Sequence, residues 1–408
     1  MSATIASGVA KQLRYKKEST LNTAPGASGA QLLRRQTSEF SLVKQTYQSA
    51  EIRPDYQISD FRHGGRSVSG QLNGELSCLS YADFIAAALR GSWATPATTG
   101  ALTNVTASAT GPHFVRPSGS FLTDGLKVGD VGRWSGWTTT AAANNGRNYR
   151  ITALTATQMT VADLNTGTAT VAAKASGDSV TFTVVGKKVQ VPLTGHTNDS
   201  FFFEEWHPDI NQSERFGGCR VGQLEIGFPA SGMATIGAQF TGIDMTTGTS
   251  AYYTSPTAAT VTGVLAAVNG KLRVGGNDIA TVTQLAVTIG ANLSTAQVVG
   301  SNISPDVFVG SVVVNGTFSA YFQDGILRDN FVNEDEISLF SYLTADNSNG
   351  SPFMGIYMPR IKLGQSQKAD GQQGIIRSYN FQALLPTSGG AGTATDQSTI
   401  IIQDSQVP

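Results

Sequence analysis

Charge is scarce in this chain: 28 Lys and Arg against 29 Asp and Glu among 408 residues amount to 14% charged, with a formal net charge of −1. A soluble monomer usually carries about a quarter. Phosphate recognition requires a concentrated basic surface that releases counterions, and none is evident, which argues against a generic nucleic-acid binder. The nearest thing to one is Lys11, Arg14, Lys16, Lys17, Arg34 and Arg35, read as a solvated arm or an ion-pairing contact with a neighbouring subunit. Low charge fits a surface covered by copies of the same chain, and equally a Thr-rich β protein with uncharged polar faces.

Histidine and cysteine are nearly absent. His63, His113, His196 and His207 form no metal-spaced pair, and Cys78 and Cys219 belong to no Cys-x-x-Cys motif. The thiols read as buried and free in a reducing compartment. No stretch approaches the roughly 20 apolar residues of a membrane helix. The segment MSATIASGVAKQLRYKKEST lacks the apolar core of a secretory signal. The expectation is a product made and folded in cytoplasm, with no membrane partner. Nucleophile elbows, phosphate loops and dinucleotide fingerprints are also missing, so no catalytic, cofactor or metal residue is assigned. The acidic run Asn333-Glu334-Asp335-Glu336 reads as the first turn of a helix, and Glu204-Glu205 with His207 as a strand end.

What is present is a pattern that occurs twice. Val68-Ser69-Gly70-Gln71-Leu72-Asn73-Gly74-Glu75-Leu76 and Val314-Asn315-Gly316-Thr317-Phe318-Ser319-Ala320-Tyr321-Phe322 both read Val-x-Gly-x-apolar-x-small-x-apolar. Apolar residues at every second position mark a strand with one buried face. The pattern predicts Gln71, Asn73, Glu75, Thr317, Ser319 and Tyr321 on one face, with Leu72, Leu76, Phe318 and Phe322 on the other. A helix is predicted after each copy. The first starts at Ser80 with Asp83 and carries Cys78, Tyr81, Ala82, Ile85 and Leu89 on its apolar side, with Gly91 as its left-handed end. The second is capped by Asn333, with Glu336 at its third position and Ile337, Phe340 and Leu343 as its stripe.

The organisation read from composition is an N-terminal arm over 1–30, a core over 31–95 and 193–388, and a C-terminal arm over 389–408 that carries a last strand around Ile400. Between the two core segments, 96–192 turns Thr-, Ala- and Gly-rich with short alternating runs, an inserted all-β unit decorating an outer surface. The apolar end strand is expected to pair with an edge of its own or an adjacent subunit. Phe201-Phe202-Phe203 reads as a core or interface strand.

These residues together resemble a known family. Tyr15-Lys16-Lys17-Glu18-Ser19-Thr20-Leu21-Asn22-Thr23, Leu33-Arg34-Arg35, Ser49-Ala50-Glu51-Ile52-Arg53, the Val68 strand and its helix are similar to the tail tube protein of long-tailed bacteriophages. Phe121-Leu122-Thr123-Asp124-Gly125-Leu126-Lys127-Val128-Gly129-Asp130 resembles an insertion of some members. The resemblance implies a mainly β protein, a tail-tube β-sandwich or barrel with flanking helices in one or two tube-fold units. It implies a virion component assembled in the host cytoplasm as stacked rings around an inner barrel. The assembly residues are then Val68, Gly70, Leu72, Gly74, Leu76, Val314, Gly316, Phe318 and Phe322. Implied partners are further copies, as a trimer with pseudo-six-fold symmetry ahead of a hexamer, other tail proteins at the tube ends, and the tape-measure protein and passing DNA in the lumen. The competing reading is another non-enzymatic virion component, such as a head decoration or connector protein.

Overall fold

A computed structural model describes residues 5–165, 170–279, 281–369 and 374–408. The chain builds its main body from fourteen principal strands and two short helices. The first half runs β1 (Gln12–Lys17), β2 (Thr37–Gln48), β3 (Phe61–Glu75), α1 (Ala82–Leu89), β4 (Phe201–His207), β5 (Gln212–Pro229), β6 (Thr235–Gly242) and β7 (Asp244–Gly248). The second runs β8 (Gly270–Val274), β9 (Val282–Gly290), β10 (Val313–Tyr321), α2 (Ile326–Val332), β11 (Glu336–Thr344), β12 (Phe353–Ala369), β13 (Ile376–Ala383) and β14 (Ile401–Asp404). All pairings among them are antiparallel.

The pairing scheme of the first half recurs in the second. β3 lies between β2 and β6, and β6 pairs with β5. Seven strands later β10 lies between β9 and β13, and β13 pairs with β12. β4 lies between β1 and β5 as β11 lies between β8 and β12, and β7 runs beside β5 as β14 runs beside β12. Even the irregularities coincide. Bulges interrupt β5 between Val221 and Gln223 and β12 between Leu363 and Gln365, at corresponding places in the pairing with β6 and β13. A second bulge falls between Phe216 and Cys219 on β5, opposite Phe201–Phe203 of β4, and between Met358 and Ile361 on β12, opposite Ile337–Leu339 of β11. An inserted residue re-aims a strand. Gly218 at φ +66° serves the first half there, and Pro359, which has no N–H to give a ladder, sits at the same bulge in the second.

Each long strand passes from one sheet into another at its bulge, so the two layers share continuous backbone. One layer is the eight-stranded sheet β2-β3-β6-β5-β9-β10-β13-β12, and its inward side chains form one core with the second layer and α1. Tyr15, Phe40, Phe84, Phe201, Phe203 and Phe240 pack ring on ring at its centre. The Phe201 cluster is therefore core, while Phe202 faces the other way against Tyr252 and Tyr253.

Residues 106–184 carry their own six-stranded sheet and a core of Phe114, Trp134, Trp137, Tyr149 and Phe182. The strand Lys187–Gln190, expected inside the inserted unit, instead pairs with β14 of the main body. Gln403 fixes the junction by accepting from Val131 N at 2.9 Å and donating to the Val131 and Val185 carbonyls at 2.8 Å each.

Several expectations are corrected here. Residues 12–17 are not a free arm: β1 pairs along its length with β4 and buries Leu13 and Tyr15. The basic cluster is used within the chain, with Lys11 on Glu205, Arg14 on Glu204 and Lys17 on Asp199. The end strand takes the first of its two expected places, pairing with β12 of its own chain. Helix α1 ends on Arg90, at φ 53°, rather than on Gly91, and neither Ser80 nor Asp83 caps it: Asp83 accepts from the Tyr15 hydroxyl at 2.9 Å. The largest correction concerns residues 336–344, which are strand rather than helix. Leu339, Phe340, Tyr342 and Leu343 are buried on both faces of an internal strand, and consecutive apolar residues on two faces mimic helical spacing. The helix of the second half lies earlier, at Ile326–Val332, and Asn333 is its C-cap rather than the start of a helix.

Candidate functional site

The two signature segments are the corresponding strands β3 and β10 of the eight-stranded sheet. Val68, Leu72, Leu76, Val314 and Phe318 point into the core, each at 2% exposure or less. Gly70 lies between Phe40 on β2 and Phe240 on β6, and a Cβ there would run into the Phe40 ring. Gly316 stands in the same relation to Phe381 on β13. The signature glycine is thus the space into which a cross-strand aromatic ring folds. Gly74 makes room for the Tyr81 hydroxyl, which donates to the Arg34 carbonyl at 3.0 Å. Phe322 departs from the pattern: it lies one residue past β10, is 38% exposed, and stacks under the Arg377 guanidinium 4.4 Å away.

Alternation puts the remaining residues of these strands on the opposite face, which no described residue layer covers in the isolated chain. One row across it reads Thr37, Asn73, Gly237, Glu225, Thr288, Asn315 and Gln382. The next reads Glu75, Thr235, Gly227, Ala286, Thr317, Asn380 and Gln365. Amides and hydroxyls dominate. Glu39, Glu75 and Glu225 are the acidic members of the face, and the single cation in these two rows is Lys362 on β12, opposite Gln382 where the first row ends. Cations appear only past the bulges, where Arg220 pairs with Asp306 and Lys362 with Glu334, both at 2.9 Å.

The sheet ends in two edges. Among the described residues β2 pairs with β3 as its one strand partner, with Lys11 Nζ donating to the Ser38 carbonyl at 2.7 Å, and residues 363–369 of β12 pair with β13 alone. Rows of free N–H and C=O groups on long, unblocked strands are templates for another chain. Beyond the sheet the β2–β3 hairpin projects and exposes Tyr47, Ile52, Tyr56, Ile58 and Phe61.

Elsewhere the candidates for chemistry are occupied. Glu205, His207 and Glu214 come within reach of one another, but Glu205 already accepts from Lys11 Nζ and Ser38 Oγ at 2.9 Å each. Glu204, fully buried, accepts from Ser213 Oγ at 2.8 Å and Tyr253 N at 3.1 Å while facing Arg14. Glu334 and Glu336 pair with Lys362 and Arg360 on β12, hydrogen bonds that hold both carboxyls below their ordinary range. Their role is strand-to-strand pairing, not the helix capping read from sequence. Both cysteines are free, and burial pushes both thiols up. No helix among the described residues is long and apolar enough to cross a membrane.

Among the described residues the body is mainly β, with one polar sheet face and two open sheet edges. The sequence profile of a family described as phage tail tube protein matches residues 8–383, and the chain belongs to that family. It is a structural protein of the bacteriophage virion, located in the tail. No curated protein matches. Among solved structures, a phage phi92 endosialidase aligns over 82% of this chain and 56% of its own at 11% identity, with a TM-score of 0.16. The chain spans just over half of that protein, and so low a score carries no argument.

Proposed function

We propose that this protein closes rings by edge-to-edge pairing of its eight-stranded sheet, and that stacked rings form the hollow conduit for the phage genome. The observation that carries this reading is the repeated strand order, which gives each chain two four-stranded panels side by side. Each panel, with its second layer and helix, counts as one tube-fold unit, so the core over 31–95 and 193–388 is a duplicated domain. Three copies then supply six panels, a trimer with pseudo-six-fold symmetry. Eight strands alone close on a space that side chains fill, whereas sixteen or more leave an aqueous channel. Three copies of eight make 24 strands. At about 4.8 Å between strands and about 40° of tilt, the barrel backbone has a radius of about 24 Å, room for a duplex after side chains are added.

The polar face lines this channel, with Val68, Gly70, Leu72, Gly74, Leu76, Val314, Gly316 and Phe318 holding it to the core behind. Passage is mechanical rather than catalytic. Few fixed cations means little attraction for phosphate, so tape-measure protein and DNA slide without sequence-specific binding. The inserted unit, packed against the second layer, decorates the outside, and other tail proteins meet the tube ends.

Negative-stain images of purified protein test the reading. Tubes with a central channel and three-fold end views support it. Soluble monomers with hydrolytic activity overturn it, and rings of six chains overturn the trimer.

A further inference from the structure

The seam between the two halves of the chain is a template for the seam between copies. Inside the chain β5 pairs antiparallel with β9, Gln223 opposite Gly290 and Glu225 opposite Thr288. β12 is the counterpart of β5, with Gly364 at the bulge where β5 has Gly222. Yet past that bulge β12 has, among the described residues, no partner on the side where β5 holds β9. β2 is the counterpart of β9: Phe40 faces Gly70 as Val287 faces Gly316. Among the described residues it has no strand partner on the side where β9 holds β5. One unfilled half of the same seam therefore sits at each end of the sheet.

We infer that β12 of one copy pairs antiparallel with β2 of the next in the register of the internal seam, Gln365 opposite Val43, Gln367 opposite Ser41 and Ala369 opposite Glu39. This rests on the ring reading above and adds the residues that make the ring. The match satisfies both rows of unpaired backbone groups at once, and closure leaves no edge.

The same relation accounts for the projecting hairpin. Residues 291–312, which join β9 to β10, lie across the internal seam: the Asn302 carbonyl accepts from Arg66 N at 2.8 Å, and Asp306 pairs with Arg220 at 2.9 Å. The corresponding connection between β2 and β3 crosses no other described residue of its own chain and leaves Ile52 and Tyr56 fully exposed. Carried over the seam between copies, it reaches the neighbour at Lys362, the counterpart of Arg220, and its apolar residues gain cover there.

Engineered cysteines read the register directly. Directly opposed strand residues have Cα atoms about 4.5–5.5 Å apart, inside the range a disulfide spans. In the double variant Ser41→Cys with Gln367→Cys, the two positions sit on opposite edges of one molecule, so any bond joins two chains. Oxidation of assembled protein is expected to give disulfide-linked oligomers on non-reducing gels, ending at three chains. Val43→Cys with Gln365→Cys, the neighbouring pair, gives the same result and guards against a variant that fails to fold. Glu39→Cys with Gln365→Cys, about 13 Å out of register, stays unlinked. Tubes that form without a link at either matched pair, or that link only at Glu39 and Gln365, overturn the register while leaving the tube standing. Failure of the unsubstituted protein to form tubes or rings overturns the ring reading, and the register with it.

Discussion

At Gly316 the ring of Phe381 decides which side chain is possible. Any Cβ there meets that ring and the Ala286 carbonyl, so Gly316→Ala overpacks the core and is expected to cost about 1–3 kcal/mol. Gly364 is the control, because its Cβ would meet nothing within 4 Å. Gly364→Ala is expected to stay within about 0.5 kcal/mol of the parent. Denaturant midpoints of the two variants, at unchanged slope, check both values. Lys188 is the second residue-scale case. Its ammonium lies 2.8 Å from both Asp130 and Asp396, joining the inserted unit to the C-terminal segment. Burial lowers the lysine's proton affinity, but the two carboxylates together outweigh it and hold the group above its ordinary value of 10.5. A lysine raised on folding stabilises fully below its ordinary value, and that stability is lost as pH climbs through the higher folded value. Burial pushes Asp130 up despite the lysine, so ionising it opposes folding above its ordinary value of 3.8. Lys188→Met strands two carboxylates and is expected to cost about 3–5 kcal/mol at neutral pH. The deficit should shrink as pH falls toward 3.8, because the raised Asp130 carboxyl takes up its proton above that value. Thermal unfolding of both proteins from pH 3 to 9 measures it, and a deficit that does not change with pH refutes the clamp.

Among the elements, strands with one wet face were legible and strands buried on both faces were not. β3 and β10 alternate cleanly, so their inward and outward residues could be read off directly as far as Tyr321. β11 could not, because an internal strand with core on two sides shows no period of two. β1 was hidden by its charges: Arg14, Lys16 and Lys17 look like a solvated arm until Glu204, Asp199 and backbone carbonyls are placed beside them. The repeat of whole halves was legible only at its two glycine-bearing strands. Elsewhere Phe203 corresponds to Leu339 and Phe216 to Met358, substitutions that preserve packing while erasing similarity. The end strand β14 yields a prediction at this scale. Ile400 and Ile402 are fully buried, and the strand fills the place beside β12 that β7 fills beside β5. Ile402→Ala is therefore expected to cost about 2–5 kcal/mol in the isolated chain. The cost should not vary with protein concentration, whereas a strand donated to a neighbour would make stability rise with concentration. Unfolding series at two widely separated concentrations distinguish the cases.

For the assembled molecule the deciding quantity is the charge on the polar face. Gln71 and Asn315 stand at the centres of the two panels, both outward, in corresponding strands. Replacing both by lysine adds two cations per chain, hence six in the proposed ring of three. Each phosphate neutralised by a fixed cation releases counterions, so affinity for DNA falls with salt in proportion to the number of contacts. Unsubstituted tubes are expected to retain no DNA fragment in co-sedimentation at low salt. Tubes of the Gln71→Lys, Asn315→Lys double variant are expected to retain it at about 50 mM salt and release it at about 200 mM, a range over which six to ten phosphate contacts lose about 10³–10⁵ in affinity. Stability should change little, because both positions are exposed and make no described side-chain hydrogen bond. Retention by unsubstituted tubes equal to that of the variant would mean that the amide-lined face is not what lets the genome pass.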